Sequence, residues 1–411
     1  MKLVSIPHDQ FARYRVDAIF DCYKWDPQFL DDGTLAQHVL VITEEEYEEL
    51  VRLTEALDFE TREAEMFLNH HLDLAKVLAL PKKISHELKK MSNYDPNRHV
   101  RLMRYAFHPT IEGKWAVSEV NSDVPGGFAE ASLLPKLAIQ YLAPNQYVSI
   151  DFGERLSSAI AKKIKPHGTI MFVHCTSYSD DRQVMQYIGD KMDSLGFRAI
   201  YGAADHLRFQ NQEAFSILDG YQGKVDFIFR FTPLEWLKDI KPKTWEGYFD
   251  TITPSCNHPI SIFAQTKRFP LIWNELAKHH IKLDTWRELL PHTTRVEDAR
   301  GKSDYIYKPA FGRVGENISI PDACGKEEYQ AILKEVRKHS KDYVAQKRFI
   351  SKPFETPEGE KFHVCLGSYT VDGKHAGFYA RISKKARIDS SAQDIPVVIE
   401  RNSSNVFKRS I

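Results

Sequence analysis

The sequence predicts a mixed α/β and α+β fold, and three observations predict it. Between residues 168 and 231, short apolar runs alternate with a helical period, the pattern of parallel strands joined by crossover helices. Near the end of the chain, Phe362–Val371 and Lys374–Ile382 flank Asp372-Gly373, a strong signal for a type I′ hairpin and so for antiparallel pairing. The first hundred residues carry mostly helical periodicity. A chain of 411 residues holds roughly two to three packed units, or one large body with subdomains.

The elements follow in order. Thr43 with Glu46 makes a capping box, and Tyr47, Leu50, Val51 and Leu57 mark one apolar stripe of the helix behind it. Glu44-Glu45-Glu46 reads as a solvated first turn facing the positive helix end. Val100–Phe107 and Lys114–Val120 read as strands joined at Glu112-Gly113. Pro125-Gly126-Gly127 then breaks the pattern before a helix from about Ala129. Thr169–His174 is an apolar strand, Asp181–Leu195 a helix closed by Gly196, and Phe197–Tyr201 and Val225–Phe231 are further strands. No GxGxxG accompanies them, so this Rossmann-like stretch does not imply a dinucleotide. Tyr305–Pro309, Asn317–Ile320 and Tyr343–Phe349 read as strands, with a helix at Glu327–His339.

Composition removes several classes of function. The 56 basic and 56 acidic residues cancel, which speaks against a nucleic-acid or anionic-membrane partner recognised through bulk charge. No run approaches the ~18 apolar residues of a membrane span. The N-terminus meets Pro7, His8 and Asp9 too early for a signal peptide. Cys22, Cys175, Cys256, Cys324 and Cys365 are scattered, with no CxxC, so a reducing, cytoplasmic setting is expected. There is no P-loop, no HExxH and no GxSxG.

Three segments carry candidate chemistry. In Tyr305 to Ile318, Lys308 ends a strand and leads into a loop with Gly312, Arg313 and Gly315. Small residues let backbone N–H groups approach phosphate oxygens, and Lys308 and Arg313 add charge; a plain turn with exposed basic residues has the same pattern. In Ser118–Asp123, Glu119 and Asn121 stand two apart on a strand and so share a face. A carboxylate and an amide oxygen on one face suit Mg²⁺, although a polar strand end reads the same way. In Tyr343–Phe349, an apolar strand ends in Gln346, Lys347 and Arg348, an edge that could meet an adenine or simply be amphipathic. Arg381, at the end of the last hairpin, is a single-residue case.

Taken together and in this order, the segments resemble the synthetase domain of the glutathionylspermidine synthase family, a branch of the ATP-grasp ligases. The anchors are Arg104, Glu119–Asp123 with Glu130-Ala131, Asp180-Asp181-Arg182 with Gln186-Tyr187, Lys267 with Trp273 and Glu275, Lys308–Asn317, Gln346, and Gly367-Ser368 through Gly377 to Arg381. Their order and spacing span nearly the whole chain. The resemblance implies one ATP-grasp-like body over 1–411. Within it stand a mainly helical region at 1–99 and a metal- and substrate-binding hairpin region at 100–165. A Rossmann-like pre-ATP-grasp region covers 166–240, and an antiparallel ATP-binding region 241–411.

What the resemblance implies for function is an ATP- and Mg²⁺-dependent ligase that joins a small-molecule or peptide carboxylate to an amine through an acyl phosphate. Lys267 and Lys308 would hold ATP phosphates under the loop with Gly312, Arg313 and Gly315, and Gln346 would lie near the adenine. Glu119 and Asn121 would bind Mg²⁺. Arg381 would face the transferring phosphoryl group and Arg104 the carboxylate side. Three positions depart from the family. Ala106 stands where a metal-ligating aspartate is expected, with Asp123 and Glu316 as carboxylates that could replace it. Val124, Gly126 and Gly127 replace small hydroxyl residues that contact glutathione, so another substrate is expected. Val314 replaces a glutamate of the phosphate loop. The alternative expectation is a nucleotide-binding protein of weakened catalysis, acting as a partner or regulatory subunit. The sequence assigns no oligomeric state.

Overall fold

Two hairpins far apart in the chain merge into one sheet. A computed structural model describes residues 1–26, 28–29, 32–91, 94–143 and 145–401; the end of the expected 241–411 region therefore lies outside the described residues. Leu102–Pro109 pairs antiparallel with Trp115–Asn121, and Lys361–Val371 with Lys374–Ser383. Asp372 and Gly373 have φ of 49° and 82°, the positive pair that a type I′ turn requires. Lys361–Val371 lies antiparallel against Leu102–Pro109, and Gln393–Ile395 closes the far edge.

Strand alternation divides this sheet into a packed face and a functional face. Met103, Tyr105, Phe107, Val364 and Leu366 point into a core shared with Leu50, Leu53 and Leu57 of the helix Glu44–His70. Across the same contact, Thr54 Oγ1 donates to Ser368 Oγ at 2.7 Å and Thr370 Oγ1 to Asp58 Oδ1 at 2.8 Å. The predicted capping box starts that helix: Glu46 N–H donates to Thr43 Oγ1 at 3.2 Å and Thr43 N–H to Glu46 Oε2 at 2.9 Å. On the other face, Tyr369 packs on Phe152 with ring centroids 4.3 Å apart, beside Phe128. Those rings belong to the helices Phe128–Gln140 and Phe152–Ala161.

The expected parallel sheet is present. Thr169–Val173 lies between Arg198–Gly202 and Phe227–Arg230, with Ser255–Cys256 beyond, all parallel. The crossover helix is Ser179–Ser194. Between the second and third strands stands an unpredicted antiparallel sheet of Leu207–Gln210, Glu213–Leu218 and Tyr221–Lys224. Asp219-Gly220 between the last two is a readable turn signal. The first hundred residues also hold the strands Lys2–Ser5 and His38–Ile42. His38–Ile42 is wholly buried and too short to show a period. It runs parallel to Val397–Glu400, which ties the two ends of the described chain together.

Tyr305–Pro309 and Tyr343–Lys347 pair antiparallel beneath the helix Lys326–Lys338, as expected. Asn317–Ile320, expected as a strand, is not one. Val314, Gly315 and Asn317 all take positive φ (50°, 67° and 55°), which coils the segment. Only Ser319 reaches the strand, its N–H donating to Tyr307 O at 3.1 Å and its Oγ accepting from Tyr307 N–H at 2.7 Å.

Candidate functional site

A cleft of about 400 Å³ opens on the functional face of the central sheet. Arg104, Ala106 and His108 reach it as alternate residues of one strand, and Cys365 and Gly367 as alternate residues of the neighbour. The facing strand contributes Ser118, Glu119 and Asn121, three positions that strict alternation would not place together. A bulge explains it. The pairing shifts between Tyr105 and Phe107, so that Ser118 and Glu119 together oppose Ala106, while Val117 and Val120 both stay in the core.

One wall is cationic. Lys308 is 4% exposed, and its Nζ donates to Ser118 O at 3.3 Å. No carboxylate among the described residues comes within 4.0 Å of it. Burial pushes its pKa down to about 8, with Glu119 opposing and Lys267 reinforcing the shift. Lys267 Nζ pairs with Glu119 Oε2 at 2.8 Å and donates to Gly312 O at 2.6 Å. Burial alone would raise the Glu119 carboxyl; Lys267, Lys308 and Arg104 outweigh it and hold it down at about 2. His108 Nε2 lies 3.0 Å from Ser118 Oγ, and burial, reinforced by Lys308, lowers its pKa to about 4, so the ring is neutral at pH 7.

The cleft also has an acidic group of residues. Asp26, Glu130, Asp180, Asp181 and Asp394 line it. Behind them Lys24, 1% exposed, donates to Asp26 Oδ1 and Asp394 Oδ2 at 2.7 Å and sits 3.3 Å from Glu130 Oε1. Tyr379 O–H donates to Asp394 Oδ1 at 2.6 Å and Gln183 Nε2 to Glu130 Oε1 at 2.9 Å. Burial raises Glu130 and pushes Asp181 up to about 6; for Asp394 burial is outweighed by Lys24 and Arg381, and its pKa falls.

The structure brings most of the expected site residues to this cleft. Arg104, Glu119, Asn121, Lys308, Arg313, Gly315 and Arg381 line it. Arg104 Nη1 donates to Gly126 O at 2.5 Å, and its guanidinium lies 4.9 Å from the centre of the Tyr379 ring. Arg381 Nη2 donates to Asp389 O at 2.6 Å, and its Nε lies 3.9 Å from Asp394 Oδ1. Arg313 is tied by Nε and Nη2 to Glu235 Oε1 at 3.0 and 2.7 Å. Gly315 is pressed against Ile388 O, where a Cβ would collide. Lys267 and Gln346 stand apart, in a small adjoining cavity of about 20 Å³ that shares Ser118 and Glu119 with the cleft. Gln346 Nε2 donates to Thr293 Oγ1 at 2.9 Å, which leaves its buried Oε1 without a protein donor.

Neither carboxylate weighed as a replacement beside Ala106 lines the cleft. Asp123 is committed to Arg230 and to the N–H of Leu234 at 2.8 Å, and Glu316 is exposed. Among the described residues no three His, Cys, Asp or Glu side chains are grouped as a metal site. The sequence reading missed Lys24, Asp26, His108 and Asp394. Strand period from Arg104 could have found His108, whereas Lys24 and Asp394 meet 370 residues apart and spacing offers no signal for that contact.

The family match gives the class, the ligase-type synthetases. The family described as glutathionylspermidine synthase, pre-ATP-grasp, matches residues 23–400, and the chain belongs to it. A glutathione synthetase-like effector from Globodera pallida, in its apo form, shares the fold at a TM-score of 0.65 and 13% identity, over 95% of this chain and 97% of its own. A putative γ-glutamylcysteine synthetase from Methylobacillus flagellatus aligns at a TM-score of 0.42 and 12% identity, over 83% of this chain and 84% of its own. No curated protein matches the sequence. Among the described residues no helix is long and apolar enough to cross a membrane.

Proposed function

We propose that the chain is an ATP-dependent carboxylate–amine ligase whose carboxylate substrate is not glutathione. The observation that carries this reading is Lys308, a buried cation with no carboxylate in ion-pair reach among the described residues. A buried charge is costly unless paired, so a lysine kept in this state is suited to an anionic ligand. The buried Oε1 of Gln346 also lacks a protein donor, but it opens on a cavity of only about 20 Å³, which holds a water and not an adenine, so Gln346 carries no part of this reading. The donor set is thin for Mg²⁺, since Glu119 is the one carboxylate on its wall and is already paired with Lys267. It fits a metal shared with phosphate oxygens, the usual arrangement for this ion, with Glu119 and Asn121 holding it. Bound there, the metal would neutralise charge on the phosphates.

The chain's own residues then divide the work. Lys308 holds phosphate oxygens, Lys267 fixes Glu119 and the Gly312 carbonyl beside them, and Arg313 and Gly315 keep the loop over them against Trp236 and Ile388. Arg104 orients the carboxylate for attack on the γ-phosphate, and Arg381 offsets charge on the transferring group. The acidic group, with Asp180 and Asp181, receives the amine that displaces phosphate from the acyl phosphate. ADP release with carboxylate and amine pairs tests the reading: Lys308→Ala should abolish it, and full activity in that variant would remove Lys308 from the mechanism.

A second reading, a nucleotide-binding protein of weakened catalysis acting as a partner or regulatory subunit, is favoured by Ala106, a methyl on the wall beside Glu119. Titration with ATP separates the two. Binding strengthened by Mg²⁺ supports the ligase, and binding indifferent to Mg²⁺ supports the second reading.

A further inference from the structure

A second cavity, of about 360 Å³, shares no lining residue with the cleft. Four buried polar atoms of its lining residues have no partner in the protein: Arg62 Nε, Arg101 Nη2, His99 Nε2 and Ser261 Oγ. All four are donors or can be. An arginine nitrogen can only donate. His99 Nδ1 accepts from Ser255 N–H at 3.2 Å and lies 2.9 Å from Ser255 Oγ, so the ring proton sits on Nε2. Burial and then Arg98 keep that ring neutral, its pKa lowered to about 3. His99 and Ser261 are only 4% and 2% exposed, so solvent at the surface does not serve them. Leaving such donors unmet costs each of them its desolvation.

The charges around the cavity set the size of the anion. Lys163 adds a cation, while Glu63 and Asp372 also line the wall. Arg101 is already matched by Asp58 and Glu65. The surroundings therefore suit one compact oxyanion group and not a polyphosphate.

We propose that this cavity binds the oxyanion group of a small metabolite, a carboxylate or a phosphate ester, on Arg62, Arg101, His99 and Ser261. Its lining residues Ser261 and Asn257 bond the segment that anchors the cleft. Ser261 O accepts from Ser122 Oγ at 2.8 Å, and Asn257 Nδ2 donates to Ser122 O at 2.8 Å, one residue beyond Asn121.

Calorimetric titration of the full chain with inorganic phosphate and, separately, with succinate tests the site. Saturable binding of at least one anion is expected, weakened about tenfold or more by Arg62→Gln. Ser261→Ala should also weaken it while leaving the melting temperature of the free chain unchanged or higher, because it removes a hydroxyl that has no partner. Preference for phosphate identifies a phosphate ester as the ligand class, preference for succinate a carboxylate, and equal binding a bare oxyanion site. No saturable binding of either anion would overturn the proposal, since the donors then serve only water. Binding untouched by both variants would overturn it as well, by placing the anion elsewhere, such as at Lys308.

Discussion

Two lysines are buried at the cleft, Lys308 in its lining and Lys24 behind its acidic residues, and their charges are balanced in opposite ways. Lys24 meets three carboxylates, two of them at 2.7 Å, and these reverse the lowering that burial would impose on its pKa. Lys308 meets one carbonyl at 3.3 Å, and burial lowers its pKa to about 8. The difference teaches how to read a buried charge. Where the protein completes the pairing, the charge holds elements together; here it joins residues 24, 130 and 394. Where it leaves the pairing open, the charge suits a ligand.

The largest expected effect falls on the paired lysine. Lys24→Met leaves Asp26, Glu130 and Asp394 facing one another without their cation. Removing one partner of a buried ionic cluster costs about 3–5 kcal/mol. Urea unfolding should show a loss of that order, and a loss under about 1 kcal/mol would break the comparison at Lys24. Lys308→Met should act with the opposite sign on stability. It removes a poorly compensated buried charge, so stability rises by about 1–3 kcal/mol while ATP binding is lost. Equal destabilisation by the two variants would mean that Lys308 is structural too.

A smaller effect comes from pH. Lys308 titrates near 8 in the folded chain, below the ordinary 10.5. Below pH 8 both the folded and the unfolded chain carry its proton, and burial of the charge opposes folding in full. Between 8 and 10.5 the unfolded chain binds more protons, so this residue's contribution to stability rises with pH. Ligand binding moves the other way, because the phosphate-holding charge is lost. ATP affinity measured at pH 7 and pH 9 should fall about tenfold. A flat profile would show that Lys308 does not meet the phosphates.

Much of the fold was legible because its signals are local. The capping box at Thr43, the turn at Asp372-Gly373 and the apolar run at Thr169 each depend on neighbouring residues. The segment Asn317–Ile320 misled because alternation of side-chain type says nothing of the positive φ at Asn317. In the cleft, Glu119 and Asn121 could be paired by strand period. Ser118 could not, since only the bulge opposite Ala106 turns it to the same side. The acidic residues were legible only in part: Glu130, Asp180 and Asp181 stand among the segments that carry the resemblance, but the cluster they belong to does not. Lys24, Glu130 and Asp394 meet through tertiary packing, and no spacing connects them.

Ala106→Asp gives the smallest effect and the sharpest comparison between the two readings of the site around Lys308. Ala106 is 5% exposed, lines the cleft and lies opposite the bulged Ser118 and Glu119. An aspartate there would add a second carboxylate beside Glu119, close to a wall held by Lys308, Lys267 and Arg104. Without a metal the new charge competes with Glu119 for Lys267, so the variant should be modestly less stable. With Mg²⁺ and ATP the added oxygen ligand should strengthen binding several-fold, because a hard cation gains affinity from each charged oxygen donor. ADP release should rise with it if the missing ligand is what limits turnover. Titration of wild type and variant with ATP, each with and without Mg²⁺, reads this directly. A variant that gains neither affinity nor turnover would show that the alanine is no vacancy in a metal site, and that the open charge at Lys308 serves an anion without help from a second carboxylate.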